Sequence, residues 1–250
     1  MRHIYNYLAV LSLALTVSCQ DLLKEQKTTS LTPGEVYATE ESLEAGISGC
    51  YTRMGMGQGW KGGMFEYLQE ASGLVHWSGN RSEEHWLQCL DFTLYSNNTW
   101  NESAFQALNE YVAAANLLIS KLPSSPVDPA FKKEIEAEAR FIRAVTYFTL
   151  VRMYGDVPLH TTAVTSEEAV NIPRTPYPEV YRQILEDLDF AETYMRDEAR
   201  QMQVSGLKGR PNKWAASSYK SLVYLTIACI LDTPDYNFFD TSSIPGYSPC

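Results

Sequence analysis

The chain has 250 residues, of which 45% are hydrophobic and 20% are charged, and 30 acidic against 20 basic residues give a formal net charge of −10. That length is enough for one large domain or two small ones. The acidic balance argues against nucleic acid or anionic lipid as a partner, because their phosphate groups would be repelled.

The first eighteen residues are typical of an export signal. Residues 1–7 contain Arg2 and no acid, and residues 8–17 form an apolar stretch of ten residues. A helix needs about 20 apolar residues to cross a bilayer, so this stretch fits the apolar core of a signal peptide instead. Removal of residues 1–18 would leave 232 residues with 19 basic and 30 acidic side chains, a net charge of −11.

Cys19 is the predicted site of lipid attachment. Ser18 precedes it, and a small residue before a cysteine just after an apolar stretch is the arrangement that a bacterial lipoprotein peptidase cleaves. Burying each CH₂ of an acyl chain contributes about 0.8 kcal/mol, so more than one chain would hold the protein stably on a membrane. One departure is that Thr16 stands where such sites usually have leucine, while Leu15 lies four residues before the cysteine. The alternative is an ordinary secretory signal with an incidental cysteine.

Amphipathic helices dominate the chain behind this signal. Residues 19–35 are polar and form the predicted anchor and tether, and residues 36–250 form the predicted helical domain. Apolar residues at helical spacing mark the helices. The first is predicted to begin at Thr39 or Glu40, the next to span Trp100–Leu122, and another to run from after Pro126 to Gly155. A further helix is predicted over about Tyr177–Arg200, and the last begins near Asn212.

The region between the first two predicted helices is expected to be irregular. Glycines interrupt residues 54–64, and residues 65–101 are rich in Trp, Tyr, Asn, Ser and Gly without a sustained period. Long loops in compact domains are usually functional. No strand-like alternation of any length occurs elsewhere, so paired helices with short Pro- and Gly-marked turns predict a mainly α fold, a tetratricopeptide-like helical superhelix with long irregular loops.

Cysteine spacing does not suggest a disulfide scaffold. Cys50 and Cys89 could pair in an oxidising compartment, but spacing alone leaves their disulfide state open. Cys229 lies in an apolar helical run, which predicts a buried small hydrophobic residue. His85 and Cys89, beside Glu84, would share one helix face, but zinc needs four ligands and no second pair with such spacing occurs, so no metal is expected.

The segment 136–159, EAEARFIRAVTYFTLVRMYGDVPL, closely resembles the signature of the SusD/RagB family, the surface nutrient-binding lipoproteins of Bacteroidetes. Three other segments agree in order: CQDLL at 19–23, YVAAANLL at 111–118 and GRPNK at 209–213. The resemblance implies a helical superhelix that sits as a lid over a TonB-dependent SusC-like transporter and captures oligosaccharide, or sometimes peptide, for import. Family members are considerably longer, so the C-terminal half is expected to be absent.

The signature itself is interpreted as scaffold and not as ligand contact. Arg140 and Arg143 border an apolar helix face and can pair with acids on an adjacent helix, and small alanines on that face let a neighbouring helix approach closely. The face is formed by Ala137, Phe141, Ala144 and Phe148.

The predicted ligand site lies in residues 76–101. Sugar rings present apolar C–H faces and polar edges, so glycan sites need aromatic platforms flanked by amides and charges. The candidate ligand-binding residues are Trp77, Asn80, Arg81, Trp86, Tyr95 and Asn97, with His76 and Asn98 in the same mixture. The alternative for Trp77 and Trp86 is that they pack against the missing half.

Catalysis is not expected, although carboxylates are present. A glycosidase needs two of them placed across a glycosidic bond, and nothing positions the neighbours Glu83 and Glu84 in that way. Glu134 and Glu138 lie on a helix beside lysines, which is the usual pattern of a solvated, salt-bridged face.

Together with these patterns, the resemblance implies a lipid-anchored outer-membrane protein, facing the cell surface, that binds oligosaccharide and has a SusC-like transporter as partner, with no cofactor and no nucleic acid. The alternatives are a helical-repeat scaffold lipoprotein that binds another protein, or a truncated product without ligand binding. The identity of the glycan, a peptide in its place, and the orientation of the anchor stay open.

Overall fold

A computed structural model describes residues 36–56, 59–60, 64, 68–69, 72, 84–91, 93, 95, 97–203 and 209–231. Residues 1–35, which hold the predicted signal, Cys19 and the tether, lie outside the described residues. The described α-helices are α1 Glu40–Met54, α2 Glu84–Leu90, α3 Thr99–Lys121, α4 Pro129–Tyr154, α5 Ser166–Val170, α6 Tyr177–Tyr194, α7 Glu198–Gln203 and α8 Lys213–Leu231. A 3₁₀ turn covers Leu122–Ser124, and two short strands, β1 Val157–Pro158 and β2 Arg174–Thr175, pair antiparallel.

Local capping explains where the long helices begin and end. Thr39 and Ser42 form a reciprocal capping box at the start of α1, with backbone N–H to side-chain oxygen distances of 3.0 and 3.1 Å. The Asp128 carboxylate accepts from two backbone N–H groups of the first turn of α4. That helix ends at Gly155, whose φ of +67° is a conformation that favours glycine. Asn212 caps α8 through the N–H of Trp214 at 3.1 Å.

Helix α4 is the centre of the packing. It lies against α3 and α6, while α8 packs on α6 and α1 packs on α3 and α4. The predicted apolar face of α4, from Ala137 to Phe148, is buried throughout. Short connections join α3 to α4 and place them side by side, as in stacked helical repeats. The predicted mainly α, tetratricopeptide-like architecture is therefore confirmed. None of the described helices has both the length and the apolar character that a bilayer crossing requires.

A buried ion pair between α4 and α6 fixes the centre of this stack. The guanidinium of Arg143 donates two hydrogen bonds of 2.7 Å to the two carboxylate oxygens of Asp187, and at most 4% of either side chain is exposed. Its Nη1 also donates to Oδ1 of Asn116 at 2.7 Å and to the carbonyl of Thr161 at 2.8 Å. Asn116 in turn donates to the carbonyl of His160 at 2.8 Å. We call this group of contacts the central ion-pair network.

This network joins three helices to one connection of the chain. Asn116 belongs to α3, Arg143 to α4 and Asp187 to α6. The two carbonyls belong to residues 159–173, which run between the paired strands and which we call the strap. The predicted pairing of the α4 arginines with an acid on a neighbouring helix is confirmed, since Arg140 also lies 3.7 Å from the same carboxylate.

Several details of the sequence prediction are wrong. The helix predicted over Tyr177–Arg200 ends at Tyr194, because Met195 is buried in an extended conformation. The region predicted as irregular contains α2.

The cysteines also depart from expectation. Cys229 is exposed on α8, so its prediction as a buried residue is wrong, because apolar neighbours in sequence do not specify which side of a helix is covered. Cys50 is a buried thiol and is not bonded to Cys89. Burial, with the nearby Glu138 charge, raises the pKa of the Cys50 thiol to about 11, so it stays protonated at neutral pH.

We expect Asp187→Ala to lower the free energy of unfolding by about 3–5 kcal/mol, because the Arg143 charge would stay buried without its counter-ion. The matched control is Glu186→Ala, one residue away on the exposed side of α6, with an expected change within about 0.5 kcal/mol. Chemical denaturation followed by circular dichroism measures both. Equal losses for the two variants would contradict the assigned role.

Candidate functional site

The predicted ligand region is described in part at the junction between α2 and α3. Helix α2 closes in a turn, where the Asp91 N–H donates to the carbonyl of Leu87 at 2.9 Å and the Thr93 N–H donates to that of Gln88 at 3.0 Å. The Asn98 N–H then donates to the carbonyl of Tyr95 at 3.1 Å immediately before α3 begins. Backbone hydrogen bonds therefore join described residues between the two helices to α2 and to one another.

Asn98 holds the two helices of this junction together. Its Oδ1 accepts from the N–H groups of Trp100 and Asn101 at 3.1 and 3.2 Å and so caps α3. Its Nδ2 donates to Oε1 of Gln88 at 3.0 Å and to the carbonyl of His85 at 3.3 Å, both on α2. Only 2% of Asn98 is exposed. Asn98, which the sequence placed among the aromatic and amide residues of the predicted ligand region, is therefore structural. We call its contacts the Asn98 latch.

Two predicted ligand residues lie beside the latch and reach solvent. Tyr95 is 63% exposed, and Asn97 is exposed as well. Behind them, the rings of His85 and Trp100 lie 4.6 Å apart between centroids. The junction thus presents an aromatic ring and an amide next to the buried Asn98, which is the combination that a sugar ring requires.

The other predicted ligand residues cannot be placed in the same way. Trp77, Asn80 and Arg81 lie outside the described residues, as does His76. Trp86 belongs to α2, but its side chain is outside what the structure describes. Their assignment to the ligand site stays a prediction.

Helix α2 does place His85 and Cys89 one turn apart. Cys89 is buried, His85 contacts Trp100, and Glu84 accepts a hydrogen bond from the Gln88 amide at 3.2 Å. Within the described part of the chain, no three His, Cys, Asp or Glu side chains come together in a metal-binding cluster.

A cleft of about 590 Å³ lies between α1 and α3, and sequence reasoning missed it. At its base the Tyr111 hydroxyl donates to the carbonyl of Met56 at 3.2 Å, and burial raises the pKa of Tyr111. A Cβ on Gly59 would lie 1.9 Å from that hydroxyl oxygen, so only glycine fits there. Arg53 and Glu110 on its walls form an exposed ion pair of 3.2 Å. The glycine-rich sequence signalled a break in structure but not this contact.

The acidic face of α4 is not the solvated surface that the sequence predicted. Glu138 is only 5% exposed, because α1 and the chain before α8 cover it. Burial raises the pKa of its carboxyl group, although Arg210 lies 3.5 Å away. The adjacent Tyr51 is half-buried with its hydroxyl group inside, and its pKa is raised well above the ordinary value by burial and by the Glu138 charge.

Arginine side chains form ion pairs with the neighbouring carboxylates of this cluster. Glu134 accepts from Arg196 and from Arg200 at 2.9 Å each. Glu44 of α1 accepts from Arg196 and, at 2.7 Å, from Arg210. Because these carboxylates form ion pairs that join α1, α4 and the chain before α8, they stabilise the fold and are not placed as an acid and a base.

Comparison with known proteins gives a consistent assignment. Residues 22–225 match the sequence profile of a SusD-like family described as "Starch-binding associating with outer membrane". A SusD-like protein P2 of Formosa agariphila is 28% identical over 223 residues, which are 89% of this chain and 43% of that protein.

Solved structures show the same fold. A structure named as a laminarin-binding SusD-like protein has a TM-score of 0.65 at 26% identity, over 77% of this chain and 41% of that one. A SusD superfamily protein from Parabacteroides distasonis has a TM-score of 0.62 at 25% identity, over 80% of this chain and 41% of that one. The chain therefore spans less than half the length of these relatives.

We expect Asn98→Ala to lower the free energy of unfolding by about 2–4 kcal/mol, because it removes a helix cap and leaves the buried amide oxygen of Gln88 without its donor. Asn98→Ser keeps a capping oxygen and should lose less. Asn97→Ala, at the exposed neighbouring position, is the control. Denaturation, with hydrogen exchange across residues 84–91, measures the effect, and an equal loss for Asn97→Ala would rule out the latch.

Proposed function

The chain belongs to the SusD-like family, and on that premise we propose that it is a lipid-anchored, surface-facing protein that binds oligosaccharide for import through a TonB-dependent SusC-like transporter of the outer membrane. The observation that carries the proposal is the α2–α3 junction, where Tyr95 and Asn97 reach solvent from a turn held by the Asn98 latch. The family description and the named laminarin-binding relative support glycan as the ligand class.

The physical reason for choosing glycan is the combination of groups at this junction. An aromatic face covers the apolar C–H side of a sugar ring, while amides bond to its hydroxyl edge. A rigid support lowers the entropy cost of binding, because the side chains need less ordering. Trp77, Asn80, Arg81 and Trp86 are proposed to complete the same site.

Binding without catalysis is part of the proposal. Glu44 and Glu134 form ion pairs with arginines, and Glu138 is buried close to Arg210. A glycosidase needs one carboxylic acid and one carboxylate facing a shared substrate. The described carboxylates of this cluster serve the packing of α1, α4 and the chain before α8 instead.

Attachment to the membrane is proposed through Cys19, with residues 19–35 as a tether. Acyl chains on one N-terminal cysteine would hold the body at the envelope without a spanning helix. A polar tether of this length would separate the binding surface from the membrane, where the transporter would receive the ligand.

One observation favours a second candidate function, a scaffold lipoprotein that binds another protein. Helix α8 exposes Trp214, Leu222 and Leu225 by 58%, 42% and 62%. These residues recur at helical spacing on one side, and contiguous exposed apolar surface marks sites of protein association.

We expect Trp77→Ala, Trp86→Ala and Tyr95→Ala each to weaken oligosaccharide binding by about tenfold, which corresponds to about 1.4 kcal/mol. Loss of an aromatic platform removes both buried area and the ring contact. Trp214→Ala, an exposed tryptophan on α8, is the matched control and should bind as before. Isothermal titration calorimetry measures affinity. Sugar binding that none of the first three changes affects would exclude the junction as the site.

Cys19→Ser should release the protein from the membrane fraction into the soluble fraction, because serine cannot receive the thioether-linked lipid. Fractionation followed by mass spectrometry of the N-terminal peptide tests this expectation. If the variant still sediments with membranes, the anchor assignment is wrong.

A further inference from the structure

A second cleft, of about 690 Å³, opens between α3 and the strap. One wall is formed by α3, including Phe105, Asn109 and Ala113, and the other by strap residues that include His160 and Thr162. It shares no residue with the exposed side chains of the α2–α3 junction. It is therefore a separate concave surface whose use the proposed function does not explain.

The walls of this cleft are fixed by the core. The Tyr147 hydroxyl, which is buried in α4, accepts from the His160 N–H at 2.6 Å. The central ion-pair network holds the carbonyls of His160 and Thr161 through Asn116 and Arg143. Although the strap is largely irregular, its N-terminal part is thus bonded to two buried helices. A preformed cleft of this kind binds a ligand with a smaller loss of conformational entropy, because its walls are already ordered.

The lining combines the groups that a saccharide needs. The ring of Phe105 is held edge-on to Tyr154 at 5.0 Å, and Asn109 and Thr162 add an amide and a hydroxyl. The Asn109 Nδ2 donates a hydrogen bond to the carbonyl of Phe105 at 2.8 Å, which fixes the orientation of the amide. Apolar side chains fill the spaces between these polar groups, as the C–H faces of a sugar require.

Charge narrows the class of ligand further. The residues described as lining the cleft include neither Lys nor Arg. Glu110 is the acid among them, and it is paired with Arg53 at 3.2 Å and bonded to the Gln106 amide at 3.3 Å. Burial lowers the pKa of His160, which keeps its imidazole neutral at pH 7, and its buried Nδ1 has no hydrogen-bond partner among the described residues. An anionic ligand would find no lysine or arginine among these described lining residues to pair with its charge.

We propose that the cleft between α3 and the strap is a second glycan-binding site, which takes neutral oligosaccharides and discriminates against those that carry carboxylate or sulfate groups. The inference rests on the proposed function only in that glycan is the ligand of the protein. It assigns a different surface and a narrower chemical class.

The test uses the full chain with two sets of probes, neutral gluco-oligosaccharides and oligouronates of matched length. Calorimetry of the unaltered chain should give two sites for neutral probes and no comparable affinity for the uronates at the cleft. Asn109→Ala should weaken one site about three- to tenfold, the range that follows from one lost hydrogen bond. Ala113→Trp, which fills the cleft from an exposed position on α3, should abolish that site.

The matched control is Ala130→Trp, which adds the same side chain at an exposed position of α4 away from the cleft lining. Equal unfolding midpoints for the two Trp variants show that loss of binding is not loss of folding. Two sites retained in Ala113→Trp would overturn the inference. So would uronate binding that this variant removes, or a cleft that binds neutral peptides and no saccharide.

The variants also separate this inference from the proposed function. Saccharide binding that Trp77→Ala and Trp86→Ala weaken and Ala113→Trp leaves unchanged supports the junction and overturns the second site. Saccharide binding that only Ala113→Trp reduces supports the cleft and removes the junction from the proposed function. An absence of any saccharide binding overturns both.

Discussion

The ion pair between Arg143 and Asp187 is the constraint around which the described structure is organised. A guanidinium in the centre of a helical stack needs a counter-ion and further hydrogen-bond acceptors, because an unpaired buried charge costs several kcal/mol. Here two donors meet the carboxylate, and Nη1 meets Asn116 and a strap carbonyl. Satisfying one side chain therefore fixes the relative positions of α3, α4, α6 and the strap. An apolar core alone would not specify this register as narrowly, since hydrophobic contacts have no direction.

The segments that identify the family turn out to supply these structural contacts. Asn116 in the alanine-rich segment bonds to Arg143 of the longest segment, and Gly155 ends α4 with a positive φ. Arg210, in the segment before α8, reaches back to Glu44 and Ser48 of α1. These residues need a defined geometry whatever ligand is bound. The same motifs therefore predict the scaffold and carry no information about ligand chemistry.

The helices could be predicted from sequence because local signals determine them. Apolar spacing located α1, α3, α4 and α8, and the capping residues Thr39 and Asn212 marked the starts of α1 and α8. Errors arose where a distant contact overrides local preference. The break at Met195 and the burial of Glu138 both depend on helices far away in sequence, and nothing adjacent to either residue signals them. For the site, composition found Tyr95 and Asn97, but it could not separate them from the structural Asn98. The cleft beside the strap could not be predicted from sequence, because its walls come from α3 and from a connection more than forty residues later.

The distribution of arginine bears on what such a protein can recognise. Guanidinium groups are the preferred partners of carboxylate and sulfate, because they donate two parallel hydrogen bonds. In this acidic chain, Arg143, Arg196 and Arg210 already form ion pairs with carboxylates of the fold. Those side chains cannot turn to a ligand without breaking contacts that join helices. A ligand of the cleft beside the strap must then be selected by shape, by ring stacking and by neutral hydrogen bonds, which are the interactions that an uncharged sugar offers.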